Sequence, residues 1–127
     1  MVLKQFKVSE TDRISVKEED LRRTVTDIFE KMGLSPEDCA QGADVLVMAD
    51  LRGIESHGVS NTLRSYVADY KSGKLNPASG YRIIREKPGT AVIDAERRLG
   101  IIVGAKAMAL AIEKAAQVGV GAVTVRN

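Results

Sequence analysis

The chain of 127 residues has no tryptophan, one cysteine and one histidine. Aromatic residues make up 4% of it, too few to build the base-stacking surface of a nucleic-acid binder. The formal net charge is only +2, and Lys and Arg are interleaved with Asp and Glu. That balance gives no basic face for nucleic acid or an anionic membrane. No stretch reaches the unbroken apolar length of a membrane span, and residues 1–10 lack the apolar core and cleavage pattern of a signal peptide. Cys39 has no second cysteine to pair with, which fits a reducing compartment, and it is expected to be a buried or half-buried thiol. These absences point to a cytoplasmic protein with no nucleic-acid, membrane or metal partner. What is present is ordinary for a globular chain: 44% apolar and 28% charged residues, at a length that sustains one real core.

Residues 1–14 read as an arm, in which Val2, Leu3, Phe6 and Val8 would form an edge strand or a docking tail. Ser15 to Glu18 has the S-x-x-E form of a capping box, so a first helix is expected to open at Ser15. Leu21, Val25, Ile28, Phe29 and Met32 recur at helical spacing, and Gly33 ends the run. Ser35–Pro36–Glu37–Asp38 starts a second helix: serine caps, proline suits the first turn, and acids suit the positive end. Its apolar face is Ala43, Leu46, Val47, Ala49 and Leu51, and the two helices form a hairpin. A third helix is expected from His57 to Lys71, capped by Ser56, with Val59, Leu63, Tyr66, Val67 and Tyr70 inside. Tyr81–Glu86 and Thr90–Ala95 read as strands joined by the Lys87–Pro88–Gly89 turn. Ile101–Val118 is an Ala-rich helix with Val103, Ala107, Leu110, Ala111 and Ile112 apolar and Glu113, Lys114 and Gln117 exposed. Gly100 and Gly104 suit close packing of that helix or an anion site at its start. Packing is preferred, because a phosphate loop carries denser glycine. Val120–Val125 reads as a continuous apolar strand inside a sheet, and such a strand ending the chain suggests truncation.

The one candidate for proton transfer is His57, the side chain type that changes charge near neutral pH. It lies in Asp50–Leu51–Arg52–Gly53–Ile54–Glu55–Ser56–His57–Gly58–Val59. In the first turn of a helix, the positive end would disfavour a charged ring and leave a neutral imidazole as base. Arg64, seven residues on, would share its side of the helix. A cap or surface role competes for His57, and a cap role for Ser56. Asp50 is expected to pair with a nearby Arg or Lys. Val118–Gly119–Val120–Gly121 is not a dinucleotide fingerprint, since it follows a helix and precedes a strand.

The stretch from Asp50 to Val59 resembles the opening signature of the malate/L-lactate dehydrogenase family of NAD(P)-dependent oxidoreductases without a Rossmann fold. Further similarities follow in order: Gly73–Lys74–Leu75–Asn76–Pro77, Thr90–Ala91–Val92–Ile93–Asp94, Leu99–Gly100, Gly119–Val120–Gly121 and Val125–Arg126–Asn127. The resemblance implies an α/β chain, with α+β as the alternative. About three helices come first, followed by strand, strand, helix and strand of a larger sheet. Residues 15–75 would be the helical segment and 76–127 the start of the α/β domain. It implies an N-terminal part of an enzyme that exchanges hydride between NAD or NADP and a 2-hydroxy acid such as malate or lactate. Most cofactor contacts would lie beyond Asn127, so the chain alone would not turn over. His57 would act as acid/base or orient substrate, and Ser56 would hydrogen-bond it. Many members have an arginine four residues past the histidine to clamp the substrate carboxylate. Here that position is Asn61, so Arg64 or Arg52 is the candidate replacement, with a surface salt bridge as the competing role. A homodimer is implied. The alternative is a small non-catalytic α/β interaction module.

Overall fold

The computed structural model describes residues 9–12 and 14–127, so the expected strand or tail at Val2, Leu3, Phe6 and Val8 lies outside the described residues. Helix α1 runs Glu18–Lys31 and α2 runs Pro36–Leu51. Helix α1 does not open at Ser15: its N-cap is Lys17, which makes no side-chain cap. Glu18 falls at the first helical position, too early for a capping box, and pairs with Arg22 at 2.8 Å instead. With Glu18, Glu19 and Asp20 in the first turn, the positive helix end is met by charge rather than by a serine. The second start is as read: the Ser35 hydroxyl accepts the Asp38 N–H at 3.2 Å and Pro36 opens the helix. Gly33 turns the chain between them at φ +90°, where a side chain would be strained.

Regular helix resumes only at α3, Arg64–Lys71, after a 3₁₀ turn at Glu55–His57 and a π-helical turn at Val59–Leu63. Strands β1 (Arg82–Lys87) and β2 (Thr90–Asp94) form an antiparallel hairpin with a bulge at Ile84. Helix α4 (Gly100–Val118) then carries the chain to β3 (Ala122–Arg126), which pairs parallel with β2. The sheet order is β1-β2-β3, a mixed α/β arrangement. Among the described residues β3 lies at the edge of the sheet, with mostly exposed side chains. An apolar run alone cannot distinguish an edge placement from an interior one.

The interior has two parts joined by α4. Val25, Phe29, Leu34, Cys39, Ala43, Leu46, Leu63, Leu99 and Ile102 form one, and Ile93, Ala95, Val103 and Ala107 the other. Successive residues Ile102 and Val103 thus face different halves, and α4 ties the helical hairpin to the sheet. Cys39 is buried as expected. Three side chains depart from the sequence reading. Leu51 and Ile112 are exposed, at 55% and 63%. Lys114 is buried instead of exposed, its Nζ donating to Glu86 Oε1 at 2.7 Å and to the Lys87 carbonyl at 2.9 Å. That lysine lies on the face of α4 that meets the hairpin, where its stem is covered and its charge is paired. The packing role read for Gly100 and Gly104 is not seen among the described residues, where a Cβ at either position meets nothing within 4 Å. The close approaches belong to Gly42, against the Phe29 ring, Gly58, against the Asp50 carboxylate, and Gly121, against the Ala111 carbonyl.

Candidate functional site

The site is the turn that leaves α2. Gly53 at φ +71° reverses the chain, its N–H donating to the Asp50 carbonyl at 2.9 Å and the next N–H, from Ile54, to Ala49 at 2.8 Å. The 3₁₀ turn follows, with His57 N–H on the Ile54 carbonyl at 2.9 Å and Gly58 N–H on the Glu55 carbonyl at 3.2 Å. Asn61 Nδ2 donates to the Glu55 carbonyl at 2.8 Å and closes the turn from the other side. His57 and Ser56 project from it and are exposed.

Ser56 Oγ lies 2.9 Å from His57 Nδ1. That contact engages Nδ1, and no hydrogen bond to Nε2 is made among the described residues. Ser56 is therefore not the helix cap. The expectation that His57 sits in the first turn of a continuous helix is also overturned. The helical segment begins at Val59, beyond the extended Gly58, and the ring belongs to the turn before it. The shared helix side inferred for His57 and Arg64 goes with it, because the π-turn changes the angular step between them.

The cap is Asp50. Its Oδ2 accepts the Val59 N–H at 2.9 Å, rather than pairing with an Arg or Lys. Gly58 packs against the same carboxylate so closely that a Cβ built there would overlap it. The backbone at Gly58 is φ −85°, ψ −173°, which any residue adopts, so glycine is required for space and not for conformation. The available signal was an aspartate in the last turn of a helix, the wrong sign for that end. It stands nine positions before the first N–H of the next helical segment, which an aspartate caps well.

Arg52 is the C-cap residue of α2 and Arg64 the first residue of α3, both exposed. Among the described residues neither makes an ion pair, so the competing salt-bridge role is not seen, and neither hydrogen-bonds Ser56 or His57. Arg52 lines an open groove of about 440 Å³ with Asp44, Val45, Met48, Ala49 and Ile54. Asn61 spends its amide on Glu55 and offers no guanidinium at that position.

Gly119 caps α4 at φ +84°, and Gly121 is taken up by packing on α4. Arg82, Arg98 and Arg126 are already engaged. The buried Asp94 carboxylate takes the Glu96 N–H at 2.9 Å, Asn127 Nδ2 at 3.1 Å, and Arg82 and Arg126 at 3.3 Å each. The Glu96 N–H and then Asn127 hold that carboxyl below its usual range. Arg98 is bound to Glu96 at 2.7 Å. No group of three or more His, Cys, Asp or Glu is placed to hold a metal among the described residues. None of their helices is long and apolar enough to cross a membrane.

Comparison with known proteins gives the same family at the level of sequence and of fold. The malate/L-lactate dehydrogenase family profile matches residues 16–127. The chain is 45% identical over 112 residues to L-sulfolactate dehydrogenase of Methanocaldococcus jannaschii, covering 88% of this chain and 32% of that protein. It is 46% identical over 114 residues to malate dehydrogenase of Pyrococcus abyssi, covering 90% and 31%. The structure of malate dehydrogenase from Pyrococcus horikoshii superposes with a TM-score of 0.89 at 44% identity, over 95% of this chain and 34% of that one. The chain thus spans about a third of the length of the relatives it matches. With a matched profile over nearly its whole length and a shared fold, the chain belongs to the malate/L-lactate dehydrogenase family.

Proposed function

We propose that the chain is the His57-bearing N-terminal part of an oxidoreductase that exchanges hydride between a 2-hydroxy acid, such as malate, lactate or sulfolactate, and NAD or NADP. The observation that carries this is the exposed imidazole tethered at Nδ1 by Ser56 Oγ, in a family whose members in hand are named for malate and sulfolactate. This chain's own contribution is to the proton side of the reaction. Oxidation of the alcohol removes a hydride from carbon and a proton from the hydroxyl, and the proton goes to His57 Nε2. For Nε2 to accept, the neutral ring carries its hydrogen on Nδ1 and donates it to Ser56 Oγ, which fixes both tautomer and ring direction. In the reverse direction the same nitrogen returns the proton. Arg64 and Arg52, exposed and outside any ion pair among the described residues, are the cations proposed for the substrate carboxylate.

The reading includes two segments, a helical one over residues 15–75 and an α/β one over 76–127. It also includes a homodimer, carried over from the family resemblance, and a cytoplasmic location, carried over from the composition. A polypeptide limited to residues 1–127 is expected not to turn over. The test is to express the protein as its gene encodes it and follow the reduced nicotinamide with malate, lactate and sulfolactate, each with NAD and with NADP. Turnover of at least one acid supports the reading. No turnover of any acid refutes it and leaves the non-catalytic α/β module.

A further inference from the structure

We infer that Asp50 is the positioning residue for His57: its carboxylate, held by the Val59 N–H and pressed against Gly58, sets the turn on which the ring stands. The inference rests on the proposed role of His57 and names a residue that role does not include.

Three independent observations converge on Asp50. The first is its place in its own helix. Helix α2 has no basic residue in its last turn, and an acid there opposes the negative end of the helix. Asp50 therefore gains nothing from α2 and is explained only by what it meets beyond it. The second is the hydrogen bond. Val59 begins a helical segment, so its N–H has no partner within that segment, and Asp50 Oδ2 supplies one at 2.9 Å. The carboxylate thus spans from the end of one helical element to the start of the next. The third is Gly58. Its φ and ψ suit any residue, yet a Cβ would overlap the Asp50 carboxyl group. Contact, not conformation, keeps a side chain out.

The consequence falls on His57 because the ring sits directly before the two residues that Asp50 holds. Upstream the turn is tied by His57 N–H to the Ile54 carbonyl, and downstream by Thr62 N–H to the Gly58 carbonyl at 3.1 Å. Between these ties, the Val59–Asp50 bond joins the turn to the rigid hairpin of α1 and α2. Without it, Gly58 and Val59 lose their only hydrogen bond to α2 among the described residues, and the Ser56–His57 pair is free to move relative to the helix.

The test uses the protein as its gene encodes it, isotope-labelled, and reads two signals that need no turnover. In Asp50→Ala, exchange of the Val59 amide hydrogen is expected to rise at least tenfold relative to amides in α1 and α4. The His57 ring nitrogens are expected to shift from one dominant tautomer toward a mixture. Asp50→Asn keeps an oxygen acceptor of the same shape and should restore both signals. Gly58→Ala pushes a methyl group onto the same carboxylate and should reproduce the Asp50→Ala result. If Asp50→Ala fails to fold, the wild-type chain still decides. The wild-type Val59 amide must exchange more slowly than unbonded surface amides, and a Val59 amide that exchanges as an unprotected one overturns the inference. So does an Asp50→Ala chain that folds with unchanged Val59 exchange and His57 ring signals. Loss of the proposed function would appear separately, as absence of turnover in the wild-type protein with these signals intact.

Discussion

The same substitution, Gly to Ala inside a helix, is expected to have opposite signs at Gly42 and Gly104. Both lie in helix interiors, where alanine is favoured over glycine by about 0.8–1 kcal/mol. At Gly104 nothing among the described residues lies within 4 Å of the added Cβ, so most of that gain should appear and Gly104→Ala should stabilise by about 0.5–1 kcal/mol. At Gly42 the Cβ would stand 2.8 Å from Phe29 Cε2 and 3.2 Å from Cδ2. Phe29 is 0% exposed, so its ring has no open space to swing into. Overpacking of this kind costs about 1–3 kcal/mol, and the closeness of the contact argues for the upper half. Subtracting the helix gain leaves Gly42→Ala destabilised by about 1–2 kcal/mol. The two variants should then differ by about 2 kcal/mol, close to 1 M in urea midpoint at a slope of about 2 kcal/mol/M. Urea denaturation followed by circular dichroism reads this directly. A control removes the obstacle: in a Phe29→Leu background, Gly42→Ala should lose most of its cost, because the two residues are in contact and their effects are not additive. Shifts of the same sign at both glycines, or a stabilising Gly42→Ala, would refute the packing argument.

Two further outcomes follow from polar contacts. Burial pushes the Asp38 carboxyl up, but hydrogen bonds from Lys106, at 2.6 Å, and Ser79 outweigh it and leave the group below its ordinary value. A depressed carboxylate contributes stability that is full above its unfolded value and is lost as pH falls through the folded one, so urea midpoints should drop from the ordinary carboxylate range downward. Lys106→Met should cost about 2 kcal/mol at neutral pH, less than for a fully buried pair because the lysine borders an open groove, and should flatten or reverse the acid slope. Ser56→Ala should release His57 Nδ1 and change the tautomer balance seen in the ring nitrogen shifts, with urea stability within about 0.5 kcal/mol of wild type because the pair is exposed.

Much of the architecture was legible in local chemistry. Ser35 and Pro36 satisfy an orphan donor and a fixed backbone angle within four residues, and Gly33 and Gly53 take left-handed turns that the sequence marks on its own. The hairpin of β1 and β2 follows from its Pro88–Gly89 turn. What failed depends on partners distant in sequence. Ser15 and Glu18 have capping-box spacing, but Glu18 is drawn to Arg22, which also reaches Asp44 on α2 at 2.8 Å. Lys114 looks solvent-facing on a helical wheel until β1 and its turn close over it. Gly100 and Gly104 look like packing glycines, but among the described residues their surroundings are open. The candidate site was found by its lone histidine and its motif, but its construction was not. Ser56 is a good cap by type, and nothing within a few residues indicates that Asp50, on the preceding helix, already holds that place. The π-turn that follows is equally invisible to a pattern that counts 3.6 residues per turn.

The central claim is that His57 moves the substrate proton, and its most direct measurement is turnover of His57→Ala against wild type in the protein as its gene encodes it, on whichever 2-hydroxy acid the wild type oxidises. The account predicts a loss of about 10²–10⁴-fold in kcat, the contribution typical of a general acid–base group. A variant that keeps kcat within about threefold of wild type would contradict it.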